Sequence, residues 1–592
     1  YKFTQEQAMS QIKAEYLKQN GGYKADDKVV VMVALKNKSL TKLYNEEYSN
    51  AYSSVAEFAE SATGKEQIAA IQAEQEDFIA KLEDKGIEAT VEYVYNTVMN
   101  GLALQTAYAN VDKIENVSGV SYTMLSDTYN QPKAAKGDAS AIINDVEIYP
   151  TGIYDSSSAI DSDGNKITGK GTAVAVLDSG FDCSHTVFTN DPNCADSELL
   201  LQEKDIAAFL EKDTNAKSFT SNLELYKVYV SKKIPFSYDY ADKDYDVFPY
   251  DSEHGTHVAG IIGGNDSEIT GIAVDTQLVL MKVFPDLDSG GKTEVILAAL
   301  EDAVLLNVDA INMSLGTSCG FSREGDDEHI NAVYDSIGES GISLIVAASN
   351  DYSAGFGGAQ GNTNKVTNPD SGTVGSPSTY KAALSVASIS GTKSRYIVAN
   401  GEKTFFYKES SSISGDENDF YKELFESLKK NGYTDEQLSK EVTLQYVTVP
   451  GVGMKINFDS IDVKGKIALV KRGNNSFEEK AMNAKNAGAI ACIIYNNIDG
   501  DILMSMGKTE HIPTMSISKS DGTELATKAV GTMAFDFNKY QAGPFMSDFS
   551  SWGPTGDLKL KPEITAHGGN IRSAVPNGQY DELSGTSMAT PN

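Results

Sequence analysis

The sequence predicts an α/β protein built on a parallel β-sheet flanked by helices, preceded by a smaller α+β unit. Two observations carry that expectation. From Gly171 onward, short runs are apolar at nearly every position, at residues 173–177, 278–283, 310–313 and 342–347. Strands apolar on both faces belong to parallel sheets covered by helices. Between two of these runs, residues 293–306 place Val295, Ile296, Ala299, Leu300, Ala303 and Val304 at helical spacing, which predicts a helix lying on the sheet. At 592 residues the chain exceeds one hydrophobic core, so several packed units are expected.

In chain order, residues from about 25 to 125 read as β-α-β-β-α-β. Residues 29–35 are an apolar run of strand length, and Ile68, Ile71, Phe78, Ile79 and Leu82 then recur at helical spacing, with Gly86 as the C-terminal cap. Ala89, Val91, Tyr93 and Tyr95 alternate with polar residues as a half-buried strand does. Residues 106–115 fit a second helix, and Gly119 leads into a last strand over 120–125. That order suits a ferredoxin-like fold. Residues 126–163 turn polar and rich in Ser, Asp, Asn, Lys and Gly, as an exposed linker does.

Composition removes several function classes. No apolar run approaches the roughly 20 residues that span a bilayer, so no transmembrane segment is expected. The 83 acidic residues against 50 basic ones give a formal charge of -33, which repels a phosphate backbone and argues against nucleic acid as a partner. The four cysteines, Cys183, Cys194, Cys319 and Cys492, form no C-x-x-C pair; Cys183 and Cys194 either close one loop or stay as free thiols. The sequence opens at Tyr1 without an initiator methionine, the expectation being a removed upstream segment such as a signal peptide, and hence export.

Three segments bring chemistry. The run at 173–177 leads straight into Asp178, a carboxylate at the end of a buried strand, where in open α/β sheets the chemistry sits. Asp at such a place is also a common turn residue. His254 and His257 lie in H-G-T-H-V-A-G; a catalytic zinc site needs a third ligand and usually the H-E-x-x-H spacing, which is absent, so no metal is assigned there. Ser587 lies in S-G-T-S-M-A-T-P, where small neighbours leave a hydroxyl exposed at the start of a helix. A serine hydroxyl is a poor nucleophile near neutral pH and needs a base; imidazole, with an ordinary pKa of about 6.5, suits that role, and a carboxylate fixes its tautomer.

The motifs V-A-V-L-D-S-G, H-G-T-H-V-A-G and G-T-S-M-A-T-P, in the chain order Asp, His, Ser, resemble the subtilisin-like serine peptidases. The resemblance implies a subtilisin-like fold and a triad in which Asp178 orients, His254 acts as base then acid, and Ser587 attacks a peptide carbonyl. The strand ending in Ala347, Ala348, Ser349 and Asn350 is similar to the one carrying the oxyanion-hole asparagine, a role that falls to Asn350. Many members have Gly where Ser349 stands, which points to the branch of large cell-envelope proteinases, lactocepin-like and complement-factor peptidase-like. Asp251, Ser252 and Glu253 ahead of the histidine resemble the same branch. Ser289, Gly290, Gly291 and Ser314, Leu315, Gly316 resemble the two edges between which substrate backbone lies as an added strand, and Gly375 resembles part of the primary pocket wall.

By the same resemblance, residues 1–130 are an inhibitory propeptide of ferredoxin-like fold that acts as an intramolecular inhibitor until cut between about Ser126 and Ala141. Residues 131–391 are the first part of the catalytic domain. Residues 392–540 resemble an inserted protease-associated domain, on Val463 to Gly473, Phe477, Lys480, Ala484 and the run into Tyr495, and residues 541–592 are the second catalytic part, returning at Ser550, Ser551, Trp552, Gly553 and Pro554. Only Met588 to Asn592 follow Ser587, where the family has a long helix, so the natural protein is expected to continue. The chemistry requires no cofactor. Asp239, Asp242, Asp244, Asp246 and Asp251 are open to a structural calcium or to a solvated acidic loop. The implied function is a bacterial extracellular, secreted or cell-wall associated serine endopeptidase, made as a proenzyme and acting on extracellular proteins or peptides. The alternative is a non-catalytic surface-binding protein retaining the fold.

Overall fold

The structure is a computed structural model that describes residues 22–130, 135–136, 161–162, 164–212, 225–287, 290–317, 326–351, 372–390, 393–394, 396–401, 403–412, 418–498, 502, 504–506, 511–537, 541–542, 545–547 and 549–592. In the N-terminal unit, the strand Lys28–Leu35 lies between Gly101–Ala107 and Val120–Leu125, and Ala89–Tyr95 pairs on the far side of Gly101–Ala107. Every pairing is antiparallel. The helix Ala62–Asp84 covers one face; Ser61 caps it by accepting from Gly64 N at 2.9 Å, and Gly86, at φ +64, turns the chain out of it.

The strand Lys28–Leu35 is apolar from Val29 onward because both of its faces are covered. Val31, Val33 and Leu35 join Phe78 and Leu82 under the helix, while Met32 and Ala34 pack into the core of the larger domain. The expected helix over 106–115 is corrected: only Val111–Glu115 is α-helical, and Thr106 belongs to the strand Gly101–Ala107. That strand is buried on both sides and shows no alternation, so its Leu, Ala and Gln content mimics a helix in sequence.

The main sheet runs in the order Phe236–Asp239, Gln277–Lys282, Ala173–Asp178, Ala310–Met313, Ser343–Ala347, Ala383–Ser390, all parallel, with Ile564–Gly569 parallel to the last. The strand Ala173–Asp178 is central, so its last residue opens onto the carboxyl edge of the sheet. The helix Thr293–Leu305 is buried at every position from Thr293 to Val304. One side lies on the sheet, and the other is covered by the N-terminal strand Ala89–Tyr95 and the short helix Val55–Glu60.

Strands from Tyr396–Ala399 to Val530–Phe535 form a separate nine-stranded sheet with two hydrophobic clusters of its own. Within it, Ile467–Lys471 and Ala491–Tyr495 are parallel neighbours joined by the helix Phe477–Asn486. Lys393–Ser394 pairs antiparallel with Gln541–Ala542, so the chain passes into and out of this sheet side by side. Cys183 and Cys194 are free thiols, so no bridge closes that loop, and Cys492 is free and buried; Cys319 lies outside the described residues. No helix among the described residues is long and apolar enough to cross a membrane.

Candidate active site

The site is assembled where three elements end or begin. Asp178 closes the central strand and is fully buried; His254 opens the helix His254–Gly263; Ser587 lies in the short helix Thr586–Ala589, just after the strand Gln579–Ser584. His254 Nδ1 donates to Asp178 Oδ1 at 2.8 Å, and the same oxygen accepts from Ser179 N at 2.7 Å and Ser179 Oγ at 3.1 Å. With Nδ1 protonated, the lone pair sits on Nε2, which is buried and makes no hydrogen bond among the described residues. Gly255 is required beside them: a Cβ there would lie 2.3 Å from Gly180 O and 3.1 Å from Asp178 Oδ1.

Ser587 Oγ donates to Ser314 O at 3.2 Å, while Ser314 Oγ donates to Ser587 O at 2.8 Å. Asn350 is anchored through its carbonyl oxygen. Its Oδ1 accepts from Thr586 N at 2.8 Å and Thr586 Oγ1 at 2.9 Å, which fixes the orientation of the amide. A Cβ at Gly585 would lie 3.3 Å from Asn350 Nδ2 and 3.6 Å from Ser587 N, so both donors border one small space that Gly585 leaves open.

His257 has a different task. Its Nε2 donates to Ile571 O at 2.9 Å and faces Asp581 O at 3.2 Å, and Ser573 Oγ donates back to His257 O at 2.8 Å. Burial, with the charge of His254 beside it, pushes its pKa down to about 3, so it stays neutral and locks the His254 helix to the hairpin that leads to Ser587.

Of the predicted edges, Gly290 and Gly291 lie in the strand Gly290–Lys292, which pairs antiparallel with Thr128–Asn130 from the N-terminal side, Gly290 opposite Asn130 and Gly291 opposite Tyr129. Further along, Ala135 pairs with Ser584, immediately ahead of Gly585. The chain leaving the N-terminal unit is therefore an added strand on Gly290–Lys292 and pairs again at Ser584, three residues before Ser587. Ser289 lies outside the described residues, as does most of the segment 126–141 beyond Asn130. Ser314 and Leu315 are buried and Gly316 half-buried, and Gly375 packs against Thr317 and Ser349.

The five aspartates 239, 242, 244, 246 and 251 do not form one cluster. Asp239 and Asp242 converge with Asp286 instead, and Lys282 Nζ stands among them, 2.6 Å from Asp239, 2.5 Å from Asp286 and 3.7 Å from Asp242. Burial opposes its charge, yet the two close carboxylates hold Lys282 above its ordinary value. An ammonium thus supplies the positive charge there. Asp246 accepts from Tyr250 OH at 2.6 Å, and Asp244 Oδ1 from Asp246 N at 2.8 Å.

Sequence reasoning missed the residues that hold the N-terminal unit. Glu301, in the helix Thr293–Leu305, is 3% exposed and accepts from the backbone N–H groups of Asn96, Thr97 and Val98, the last at 2.8 Å. Burial pushes its carboxyl up to about 7, against the pull of those three donors. Ser126 Oγ donates to Glu294, Tyr95 OH to Glu294 O at 2.8 Å and Tyr93 OH to Tyr240 O at 2.7 Å. One signal was available: charged Glu294, Glu301 and Asp302 stand in a helix otherwise apolar all round.

The subtilase family model matches residues 169–592. A PIII-type proteinase of Lactococcus lactis subsp. cremoris (strain SK11) is 30% identical over 559 residues, 88% of this chain and 26% of that protein. A PII-type proteinase of Lacticaseibacillus paracasei is 30% identical over 562 residues, 88% of this chain and 27% of that protein. A C5a peptidase of Streptococcus pyogenes is 33% identical over 434 residues, 72% of this chain and 34% of that protein. The chain spans about a quarter of the length of the first two curated relatives.

Proposed function

Because the chain belongs to the subtilase family, we propose that it is a serine endopeptidase of extracellular or cell-wall location, made as a proenzyme and cleaving proteins or peptides outside the cell. The observation that carries this reading is the buried hydrogen bond from His254 Nδ1 to Asp178 Oδ1 at 2.8 Å, which leaves Nε2 as the free basic atom in a site closed by Ser587. In the reaction, Ser587 Oγ rotates from Ser314 O toward Nε2, passes its proton to His254 and attacks the peptide carbonyl carbon. Asp178 stabilises the imidazolium, which then gives the proton to the departing amine; water repeats the sequence in reverse to release the acyl group. The carbonyl oxygen, as it becomes negative, is received by Asn350 Nδ2 and Ser587 N.

Substrate backbone adds as a strand on Gly290 and Gly291, with Ser314, Leu315 and Gly316 as the opposing edge. The pairing of Thr128–Asn130 on that strand supports residues 1–130 as the inhibitor that blocks it, and the processing bond is proposed between Asn130 and Ala135, in the stretch between the two pairings. The separate sheet over 392–540 is proposed as a protease-associated domain that covers the catalytic domain or limits which proteins reach the cleft. The chemistry needs no cofactor, and Lys282 takes the part that calcium would have played at Asp239 and Asp242.

A fluorophosphonate probe tests the activity. Labelling mapped to Ser587, and lost in Ser587→Ala, is expected once the N-terminal unit is removed. No labelling after its removal would favour a binding protein that retains the fold.

A further inference from the structure

When the N-terminal unit leaves, the strand Gly290–Lys292 loses its pairing with Thr128–Asn130. What then holds it lies just upstream, in the connection that starts after the sheet strand Gln277–Lys282. Phe284 in that connection is buried and forms a floor: a Cβ at Gly291 would lie 3.0 Å from its ring. A flat ring sets the depth of the strand and leaves its lateral position open. Leu287 is fully exposed and adds no apolar hold. Between the two stands Asp286, and its hold is ionic. Lys282 Nζ, 1% exposed, lies 2.5 Å from Asp286 Oδ1 and 2.6 Å from Asp239 Oδ2. Asp239 ends the neighbouring strand Phe236–Asp239, in register with Lys282, and its Oδ1 accepts from Ala241 N at 2.9 Å and Asp242 N at 3.0 Å. Asp242 Oδ2 in turn accepts from Asp286 N at 2.8 Å. Side chain and backbone of Asp286 are thus both tied to groups at the ends of two buried strands.

Neutralising Lys282 does not require Asp286. A buried ammonium needs one well-placed carboxylate, and Asp239, fully buried, already supplies it. Asp286 is 33% exposed, and with Asp242 it brings the cluster to more negative than positive charge. What its carboxylate adds is a fixed point for the connection. We infer that Asp286 is a positioning residue for extended substrate: through Lys282 it fixes the connection that sets the edge Gly290–Lys292, so that peptide backbone meets a strand already in place. A strand ordered beforehand spares the ligand the cost of ordering it, and the saving appears as affinity. Asp286 touches none of the triad residues. The inference rests on the peptidase reading of the same site and concerns the peptide away from the reacting bond.

The test uses the full chain after removal of the N-terminal unit, as wild type, Asp286→Ala and Asp246→Ala. Asp246 bonds Tyr250 instead of Lys282 and controls for the loss of a nearby negative charge. Two uncharged substrates share the same reacting residue: a long peptide whose acyl side reaches Gly290–Lys292, and a short ester that stops before it. Asp286→Ala should lower kcat/KM on the long peptide about tenfold, mostly through KM, the worth of one hydrogen bond between charged groups. The ester and the rate of fluorophosphonate labelling should not change, and Asp246→Ala should change none of the three. An equal loss on both substrates, no loss on the long peptide, or the same loss in Asp246→Ala each overturns the inference and leaves the peptidase reading intact. Hydrogen exchange in the uncut chain reads the strand without catalysis: Gly290, Gly291 and Lys292 should exchange faster in Asp286→Ala, and unchanged exchange overturns the inference even if that variant is never processed. A wild type that neither labels nor cleaves overturns both.

Discussion

Two buried carboxylates, Asp178 and Glu301, hold hydrogen bonds of similar length in opposite settings. Asp178 receives an imidazole from its own domain, and its partners are carried by short motifs. Glu301 receives three backbone N–H groups from a unit just over two hundred residues earlier in the chain, and any sequence with a suitable turn would supply them. The first arrangement asks for particular side chains and is written in the sequence. The second asks only for shape, and becomes visible when the two units are docked.

The largest test of the first region is His254→Ala, which should lower kcat by about 10⁶-fold, the loss known for subtilisin itself. Steady-state kinetics with an unchanged far-UV spectrum checks it. A loss below about 10²-fold would mean another group is the base. Asn350→Ala should cost about 10²- to 10³-fold in kcat with KM little changed, again the subtilisin scale. A change in KM alone would place Asn350 in substrate binding rather than opposite the oxyanion.

The second region is sharpened by Glu301→Ala. Three buried N–H groups lose their acceptor, each worth about 1–3 kcal/mol, so the N-terminal unit should detach at least tenfold faster. Hydrogen exchange at Asn96, Thr97 and Val98 reads this, and unchanged protection would contradict it.

The pH dependence follows from the raised carboxyl. Glu301 has a pKa of about 7 when the unit is docked and an ordinary carboxyl value, about 4.3, when it is away. The docked state therefore binds a proton the separated state does not, so docking strengthens as pH falls from about 7 and weakens as pH rises through about 7. Glu294, also raised by burial, pushes in the same direction. Release should be faster at pH 8 than at pH 6, and the difference should shrink in Glu301→Gln. The opposite order would show that the three N–H donors outweigh burial.

The smallest expected effect lies behind the site. Thr586→Val removes one of the two donors that orient Asn350 and should lower kcat by about 2- to 10-fold, the value of one hydrogen bond, with the binding of peptide unchanged.

The same contrast explains what the sequence disclosed. The parallel strands at Ala173–Asp178, Gln277–Lys282 and Ala310–Met313 were legible because burial on both faces leaves a nearly continuous apolar run. For the same reason Gly101–Ala107 was not: an antiparallel strand covered on both sides loses its alternation and imitates a helix. The anchoring of Asn350 by Thr586, the lock at His257 and the placement of Lys282 among three aspartates depend on segments far apart in the chain, and no local pattern marks them.

The most direct measurement is the mass of the N-terminus, followed alongside peptidase activity, as the full chain is incubated. Activity rising in step with a cut between Asn130 and Ala135 is the predicted result. An active chain whose residues 1–130 remain attached through an uncut bond would contradict the account, because the strand Thr128–Asn130 would then occupy Gly290–Lys292 without blocking the site.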